Sequence, residues 1–412
     1  MRVLFTVSSR PAHYLPMAPL GRALLRDGHD VTVLCGPSQR DFVKRAGLDP
    51  VPILSCPDVE VHSRVDYFRE AQRGQWPYPW LPLHPLTGAP ISRLGEFDIP
   101  WYESSVLPAM REQWHASERA AAEFARAWRP DLVVHDPMSF EGRFAARTAG
   151  VPAILSLWGP TGTHERDGVR LAPQDIADAY RCGREPVAHV LDPCPSGIEP
   201  PTNARRIRVR YVPHDPPGSP RPVPPQGRCR PRVCVTWSTA LARMSGPRSF
   251  ILPGIVKALS NLDIDVVVTA TPAEIAALGE VPATVSVIPG RGLPHVLPHC
   301  DALVHHGGAG TTMTAVSLGV PQVAITFASE QRRNGQRIQA GGAGRHLAGH
   351  QATGEAIGTA VSDLLYTRSY REAAAELRSE VLLRPAPASV VADLEKLAAG
   401  QKEMAPAIRP VR

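Results

Sequence analysis

Asp301 to Gln331, DALVHHGGAGTTMTAVSLGVPQVAITFASEQ, is the stretch that most restricts what this chain can fold into. Ala302 to His305 has the short apolar character of a buried parallel strand, and Gly307, Gly308 and Gly310 follow it directly. Ala309, Met313, Val316 and Val320 then fall at i, i+4, i+7 and i+11, the apolar stripe of a helix. Gly319 and Pro321 end that helix, and Gln322 to Phe327 resumes as a strand. Strand, glycine turn and helix in this order bring unpaired N–H groups and a partial positive charge of about half a unit to one point, which suits a phosphate. Glycines let backbone amides approach such a ligand, and His306 and Thr311 add side-chain donors. A dinucleotide fingerprint is incomplete here: Gly308 and Gly310 give GxG, Met313 stands at the third glycine, and no acidic residue ends the next strand. The GK[ST] ending of a nucleoside-triphosphate loop is also missing, which leaves a general diphosphate cradle.

A chain of 412 residues exceeds one ordinary core and predicts two domains of roughly 200 residues each. The N-terminal part alternates: strand Arg2 to Val7, loop Ser8 to Tyr14, a helix from near Pro16 with stripe Met17, Leu20 and Leu24, and strand Val31 to Leu34. Ser38 with Asp41 reads as a capping box for the next helix. From Cys56 to Trp101 the pattern breaks down into an aromatic, proline-rich loop, and it returns with a helix around Arg111 to Trp128, strand Asp131 to His135, helix Ser139 to Ala149 and strand Ala153 to Trp158. Residues 213–231 carry the proline density of a linker. Beyond it the alternation restarts with strand Val233 to Trp237 and continues to a last amphipathic helix, Ser389 to Ala399. The division is therefore 1–212, linker 213–231, 232–384, and a C-terminal helix and tail 385–412 expected to return to the first domain. Alternating strands and helices predict an α/β protein with two doubly wound parallel sheets, whose ligands bind at the carboxyl ends of the strands, in a cleft between the domains.

Composition excludes several classes. No run approaches ~18 apolar residues and Met1 to Val7 enters a strand directly, so neither a membrane span nor a signal peptide is expected, and the cytoplasm is the default. Seven cysteines without a CxxC pair indicate neither a disulfide framework nor a zinc site. The net charge of +6 comes from arginines spread along the chain, which does not make a nucleic-acid surface. His295, His299, His305 and His306 lack the spacing of a zinc motif, and Asp263 and Asp265 form a DxD on the far side from the glycine turn, so no metal site is expected.

On the opposite wall, His13 follows the first strand, where a ring nitrogen can take a proton from a hydroxyl; a structural histidine is the plainer alternative. Asp136 ends another strand of the same sheet, and a carboxylate can fix the tautomer and raise the basicity of such a ring. Glu330 and Gln331, at the end of the strand after the phosphate helix, are placed to bind vicinal sugar hydroxyls, or simply to start a solvated helix. Trp76, Tyr78, Trp80 and Trp101 either line an aromatic acceptor pocket or pin their loop in place.

The run HHGGAGTT at His305 to Thr312, with GVPQ at Gly319 to Gln322 and EQ at Glu330 and Gln331 followed by Asn334, closely resembles the donor-binding signature of family 1 glycosyltransferases, in particular the bacterial branch that attaches deoxysugars to macrolides and enediynes. RVLFTVSSRPAHYLPMAPLGRALLRDGHDVTVL and PDLVVHDP are similar to that family's opening and mid-domain motifs. The resemblance implies a GT-B fold of two facing Rossmann-like domains, acceptor on the first and nucleotide sugar on the second, and metal-independent hexosyl transfer with inversion. It implies His13 as general base with Asp136 as partner, and His306, Gly308, Gly310 and Thr311 at the diphosphate. Thr239 would lie near the phosphate, the backbone around Leu293 at the base, and Glu330 and Gln331 at the sugar. The donor, a thymidine-diphosphate sugar by resemblance, is a substrate, so no cofactor is implied; the acceptor is an apolar aglycone, and a homodimer is a compatible assembly. Ala12, Ser238 and Glu330 depart from the Gly, Gly and Asp usual in the family. A sugar-nucleotide epimerase and a non-catalytic sugar-nucleotide-binding protein are the rival readings.

Overall fold

The computed structural model describes residues 1–161, 174–179, 187–214, 230–290 and 292–404. Most of the expected linker, 215–229, and the tail 405–412 lie outside the described residues. Among the described residues, thirteen strands form two parallel sheets. In the first, β1 (Arg2–Thr6), β2 (Asp30–Leu34), β3 (Pro50–Val51), β4 (Leu132–His135), β5 (Ala153–Ser156), β6 (His189–Asp192) and β7 (Arg205–Arg208) take the order β3-β2-β1-β4-β5-β6-β7. In the second, β8 (Arg232–Thr236), β9 (Asp265–Ala270), β10 (Val285–Pro289), β11 (Ala302–His305), β12 (Gln322–Thr326) and β13 (Gly344–Ala348) take the order β10-β9-β8-β11-β12-β13.

The strands are apolar on both faces because helices cover both. Val3 and Phe5 join Val33 and Val134 in one core, while Leu4 joins Leu34 and Val133 in another on the opposite face. In the second sheet Val235, Val268, Val304 and Ile325 pack one way, and Cys234, Val267 and Leu303 the other. Continuous burial of this kind is what a parallel sheet between two helix layers requires. Each sheet reverses its strand order once, between β1 and β4 and between β8 and β11. These switch points open a crevice at the strand ends.

Several expectations are corrected. The break from Cys56 to Trp101 contains a helix, Val59–Gln72, whose N-cap Asp58 accepts from the N–H groups of Glu60 and Val61. Its core-facing Val61, Val65 and Phe68 alternate with the buried polar residues His62 and Arg64, which hide the apolar stripe in the sequence. His13 is not in a loop but on a one-turn helix, Pro11–Tyr14, started by proline. The capping box at Ser38 does not form; Pro37–Gln39 is a 3-10 turn before helix Arg40–Arg45. Glu330 and Gln331 lie in the first turn of helix Ser329–Ala340 rather than at a strand end.

The last helix, Pro387–Met404, packs against Ala18–Arg26 of the N-terminal domain. Val390, Val391 and Leu394 enter that domain's core, and Glu395 pairs with His29 at 3.2 Å.

Candidate active site

Both switch points deliver their loops to one place. The helix Pro11–Tyr14, after β1, touches the helix Ala309–Leu318, after β11. Gly159, beyond β5, lies against Ala309 and Met313, so closely that a Cβ there would stand 3.0 Å from the Ala309 methyl. The expected base wall and phosphate wall thus meet across the interdomain cleft.

On the base side the His13 ring lies face-near to Trp158, centroids 3.9 Å apart. Its Nδ1 is 3.1 Å from the Ser8 hydroxyl oxygen. Among the described residues Nε2 makes no hydrogen bond. Burial, helped by the Arg10 cation, pulls the imidazole down to about 3, so the ring is neutral. Arg10 is itself held by Glu60 at 3.1 Å, and the same Glu60 oxygen accepts from Nε of Arg243 in the C-terminal domain at 2.8 Å. Asp136 is fully buried and does not bond His13 directly. Its two oxygens accept from the N–H groups of Ser8 at 2.6 Å and Met138 at 2.7 Å. Burial raises its carboxyl to about 6, although these donors favour the anion. Ser8, Ser9, Cys56, Pro57, Val59, Met138 and Glu141 line a narrow cleft beside this group.

On the phosphate side the glycines have separate reasons. Gly307 adopts φ +83°, and a Cβ would meet Thr326 Cγ2 at 2.8 Å and the Gln331 carbonyl at 2.9 Å. Gly308 makes room for the His306 ring, whose Nε2 would stand 2.5 Å from a Cβ. A Cβ on Gly310 would meet nothing nearer than the Tyr211 hydroxyl at 4.0 Å, so there is space beside it for a ligand. His306 Nδ1 is buried without a partner, an unsatisfied group of the sort a ligand completes. Burial lowers its ring to about 4. His305 is structural: its Nδ1 accepts from the Gly307 N–H, so its Nε2 donates to Gln322 Oε1 at 2.9 Å.

The remaining predicted residues are placed as follows. Glu330 accepts from Asn334 Nδ2 at 2.7 Å and from the Ala309 N–H at the phosphate helix, and burial raises its carboxyl to about 7. The Gln331 side-chain Oε1 accepts from the N–H groups of Phe327 and Ala328, which leaves its side-chain amide nitrogen for other partners. Thr311 is half-buried on the first turn of its helix. Thr239 begins helix Thr239–Ser245 after β8, and Leu293 begins helix Leu293–Val296 after β10. Trp76, Tyr78 and Trp80 pack on the C-terminal core: Tyr78 stacks on Phe327 at 5.5 Å and on Trp80 at 4.7 Å, and Trp76 Nε1 donates to the Trp80 carbonyl. These rings pin their loop on the C-terminal domain. Trp101 is 49% exposed.

Three residues of the site, Trp158, Ser8 and Thr161, carry no sequence signal strong enough to single them out. Trp158 and Ser8 are ordinary strand-end residues until the fold brings them to His13. Thr161 donates to Asn334 Oδ1 at 2.6 Å, and Asn334 donates in turn to the Gly307 carbonyl, tying the glycine turn to the N-terminal domain. Among the described residues no group of three or more His, Cys, Asp or Glu side chains could hold a metal ion, and no helix is long and apolar enough to cross a membrane.

Residues 254–397 match the C-terminal domain, and residues 103–238 the N-terminal domain, of the family described as erythromycin biosynthesis protein CIII-like. The chain is 31% identical to aklavinone 7-beta-L-rhodosaminyltransferase of Streptomyces galilaeus over 98% of both chains. It is 32% identical to L-demethylnoviosyl transferase of Streptomyces niveus over 99% of this chain and all of that one. Among solved structures, glycosyltransferase SnogD from Streptomyces nogalater superimposes with a TM-score of 0.68 at 27% identity, over 97% of this chain and 99% of that chain. Glycosyltransferase VinC, solved in complex with DTDP, has the same fold, with a TM-score of 0.70 at 24% identity over 97% of this chain and 100% of that chain.

Proposed function

The chain belongs to the erythromycin biosynthesis protein CIII-like family of GT-B glycosyltransferases, and from that premise we propose how its own residues divide the work of moving a deoxysugar from thymidine diphosphate to a hydroxyl of a secondary-metabolite aglycone. His13 Nε2 takes the proton of the acceptor hydroxyl as that oxygen attacks the anomeric carbon and the diphosphate leaves with the electron pair of the broken bond. A single displacement inverts the anomeric centre. Charge growing on the diphosphate is met by the N-terminus of Ala309–Leu318, by His306 and by Thr311, a preorganised stabilisation of a kind worth ~3 kcal/mol per donor. Thr239 and the backbone near Leu293 complete the nucleotide side, and Glu330 with the free amide of Gln331 reads the sugar. The aglycone approaches His13 from the N-terminal domain.

The observation that carries this reading is the contact between Pro11–Tyr14, which bears the neutral His13 ring, and Ala309–Leu318, the helix that follows the glycine turn. Incubating the protein with thymidine-diphosphate deoxysugars and a panel of polyketide aglycones tests it, with mass spectrometry as the readout. A glycoside appearing with stoichiometric thymidine diphosphate is the expected result. An isomerised sugar nucleotide without acceptor would establish the epimerase instead, and donor binding with no product from any aglycone would favour the non-catalytic reading.

A further inference from the structure

Asp136 and His13 are too far apart to bond, yet both address Ser8. The Ser8 hydroxyl oxygen is 3.1 Å from His13 Nδ1, and the Ser8 N–H donates to Asp136 Oδ2 at 2.6 Å. The Ser8 hydroxyl is also near enough to the Asp136 carboxylate to favour its anion. Ser8 is 5% exposed, so water does not compete freely for these bonds.

A serine has one hydroxyl proton and lone pairs to accept with. Two neighbours ask for that proton: a neutral imidazole nitrogen and a buried carboxylate already aligned by two backbone N–H groups. The charge-assisted bond to the carboxylate is roughly twice as strong as one between neutral groups, so Ser8 donates to Asp136. Its oxygen is then left as an acceptor, and the only bond open to His13 Nδ1 is to donate. The neutral ring must therefore carry its proton on Nδ1, which leaves the Nε2 lone pair free.

We propose that Ser8 is a positioning residue that stands between His13 and Asp136, fixing the Nδ1–H tautomer of the base through a chain of two hydrogen bonds. It rests on the reading of His13 as general base. When Nε2 accepts the acceptor's proton, the imidazolium keeps its Nδ1–H bond to Ser8, and Ser8 keeps its bond to Asp136. The positive charge is balanced by the carboxylate at one remove, and no proton leaves the ring on that side. Asp136 acts on the base only through Ser8.

The test reads the tautomer directly and needs no substrate. In the full chain labelled with 15N-histidine, the His13 ring resonances are assigned by their loss in His13→Ala. The expected result is a proton on Nδ1 in the wild type, shifting towards Nε2 in both Ser8→Ala and Asp136→Asn. A wild-type ring protonated on Nε2, or an unchanged tautomer in either variant, overturns the proposal. Ser8→Ala removes one atom and keeps the N–H bond to Asp136, so it decides alone if Asp136→Asn does not fold. With any aglycone that turns over, Ser8→Ala should lower kcat by roughly 10²-fold, the lower end of general-base contributions, with the donor KM unchanged. In a His13→Ala background the same substitution should change nothing further, and a persisting loss there would show that Ser8 does not act through His13. Full turnover in His13→Ala would remove the general-base reading while leaving the tautomer result to stand separately.

Discussion

Trp158 lies along one face of His13, its ring centroid 3.9 Å from the imidazole centroid and the two planes 32° apart. The contact fixes the plane in which the base works, and the Ser8 hydroxyl at the ring's edge fixes its rotation. His13→Ala should therefore lower turnover by ~10² to 10⁴ while leaving the dissociation constant for thymidine diphosphate unchanged by calorimetry, because the phosphate wall is built from other elements. Turnover equal to wild type would remove His13 as base.

The acid side of the pH profile should belong to Asp136. Its carboxyl is raised to about 6 by burial, and only the anion balances a protonated imidazole. His13, held at about 3, is already neutral throughout this range and adds no limb. As pH falls through about 6, kcat should drop tenfold per unit, and in Asp136→Asn the limb should vanish and leave a low, flat rate. An unchanged limb near pH 6 in that variant would assign it to another group.

Glu330 has its carboxylate on the Ala309 N–H, at the helix end proposed for the diphosphate, with its pKa near 7. Its ionisation sets a like charge beside the ligand. Binding of thymidine diphosphate should weaken a few-fold between pH 6 and 8.5, and Glu330→Gln should flatten that dependence after correction for the ligand's own titration. Equal slopes in the two proteins would place Glu330 outside the field of the phosphates.

The glycine turn predicts two opposite results from one kind of substitution. Gly307→Ala forces a side chain into the left-handed region and onto the Gln331 carbonyl, which should cost upwards of ~2 kcal/mol and lower Tm by roughly 4–8 °C. Gly310→Ala meets open space and should melt no lower than wild type, yet weaken thymidine diphosphate by filling the space beside the turn. A stable Gly307→Ala protein would mean that the turn can relax.

Helix N-terminus, His306 and Thr311 are all fixed parts of the chain, so the proposed stabilisation of the leaving group is present without an added ion. Turnover should persist in EDTA. Complete loss with chelator, restored by magnesium, would overturn this.

The sequence is legible where geometry is local. Ala302 to His305 reads as a buried strand and is one, and the glycine turn with its helix follows as expected, because strand, turn and helix periodicity are set by near neighbours. What it hides is decided by tertiary contact. The helix Val59–Gln72 is masked by buried His62 and Arg64, which are polar yet inside: Tyr102 and Asp175 engage the first, and the Pro85 and Arg243 carbonyls the second. That Tyr78 stacks on Phe327, a residue far along the chain, with Trp76 and Trp80 packed beside it, is likewise a tertiary contact that no local pattern announces. Strand β3 is two residues long, and β13 begins at a glycine, so neither shows the apolar run that marks a strand. Ser8 has no motif at all; its importance comes from standing at a strand end between two groups that meet only in the folded sheet.

The helix Pro387–Met404 sets Val390, Val391 and Leu394 in the core of the N-terminal domain. The backbone consequently passes between the lobes twice, once outward before β8 and once homeward after Arg384, whose guanidinium reaches the Cys194 carbonyl and Glu199 on the N-terminal side. Anyone exchanging lobes between relatives should therefore treat the final helix as luggage of the first lobe, cutting at both crossings; a single cut would graft a foreign helix onto Val390's berth and unseat the fold on the acceptor side.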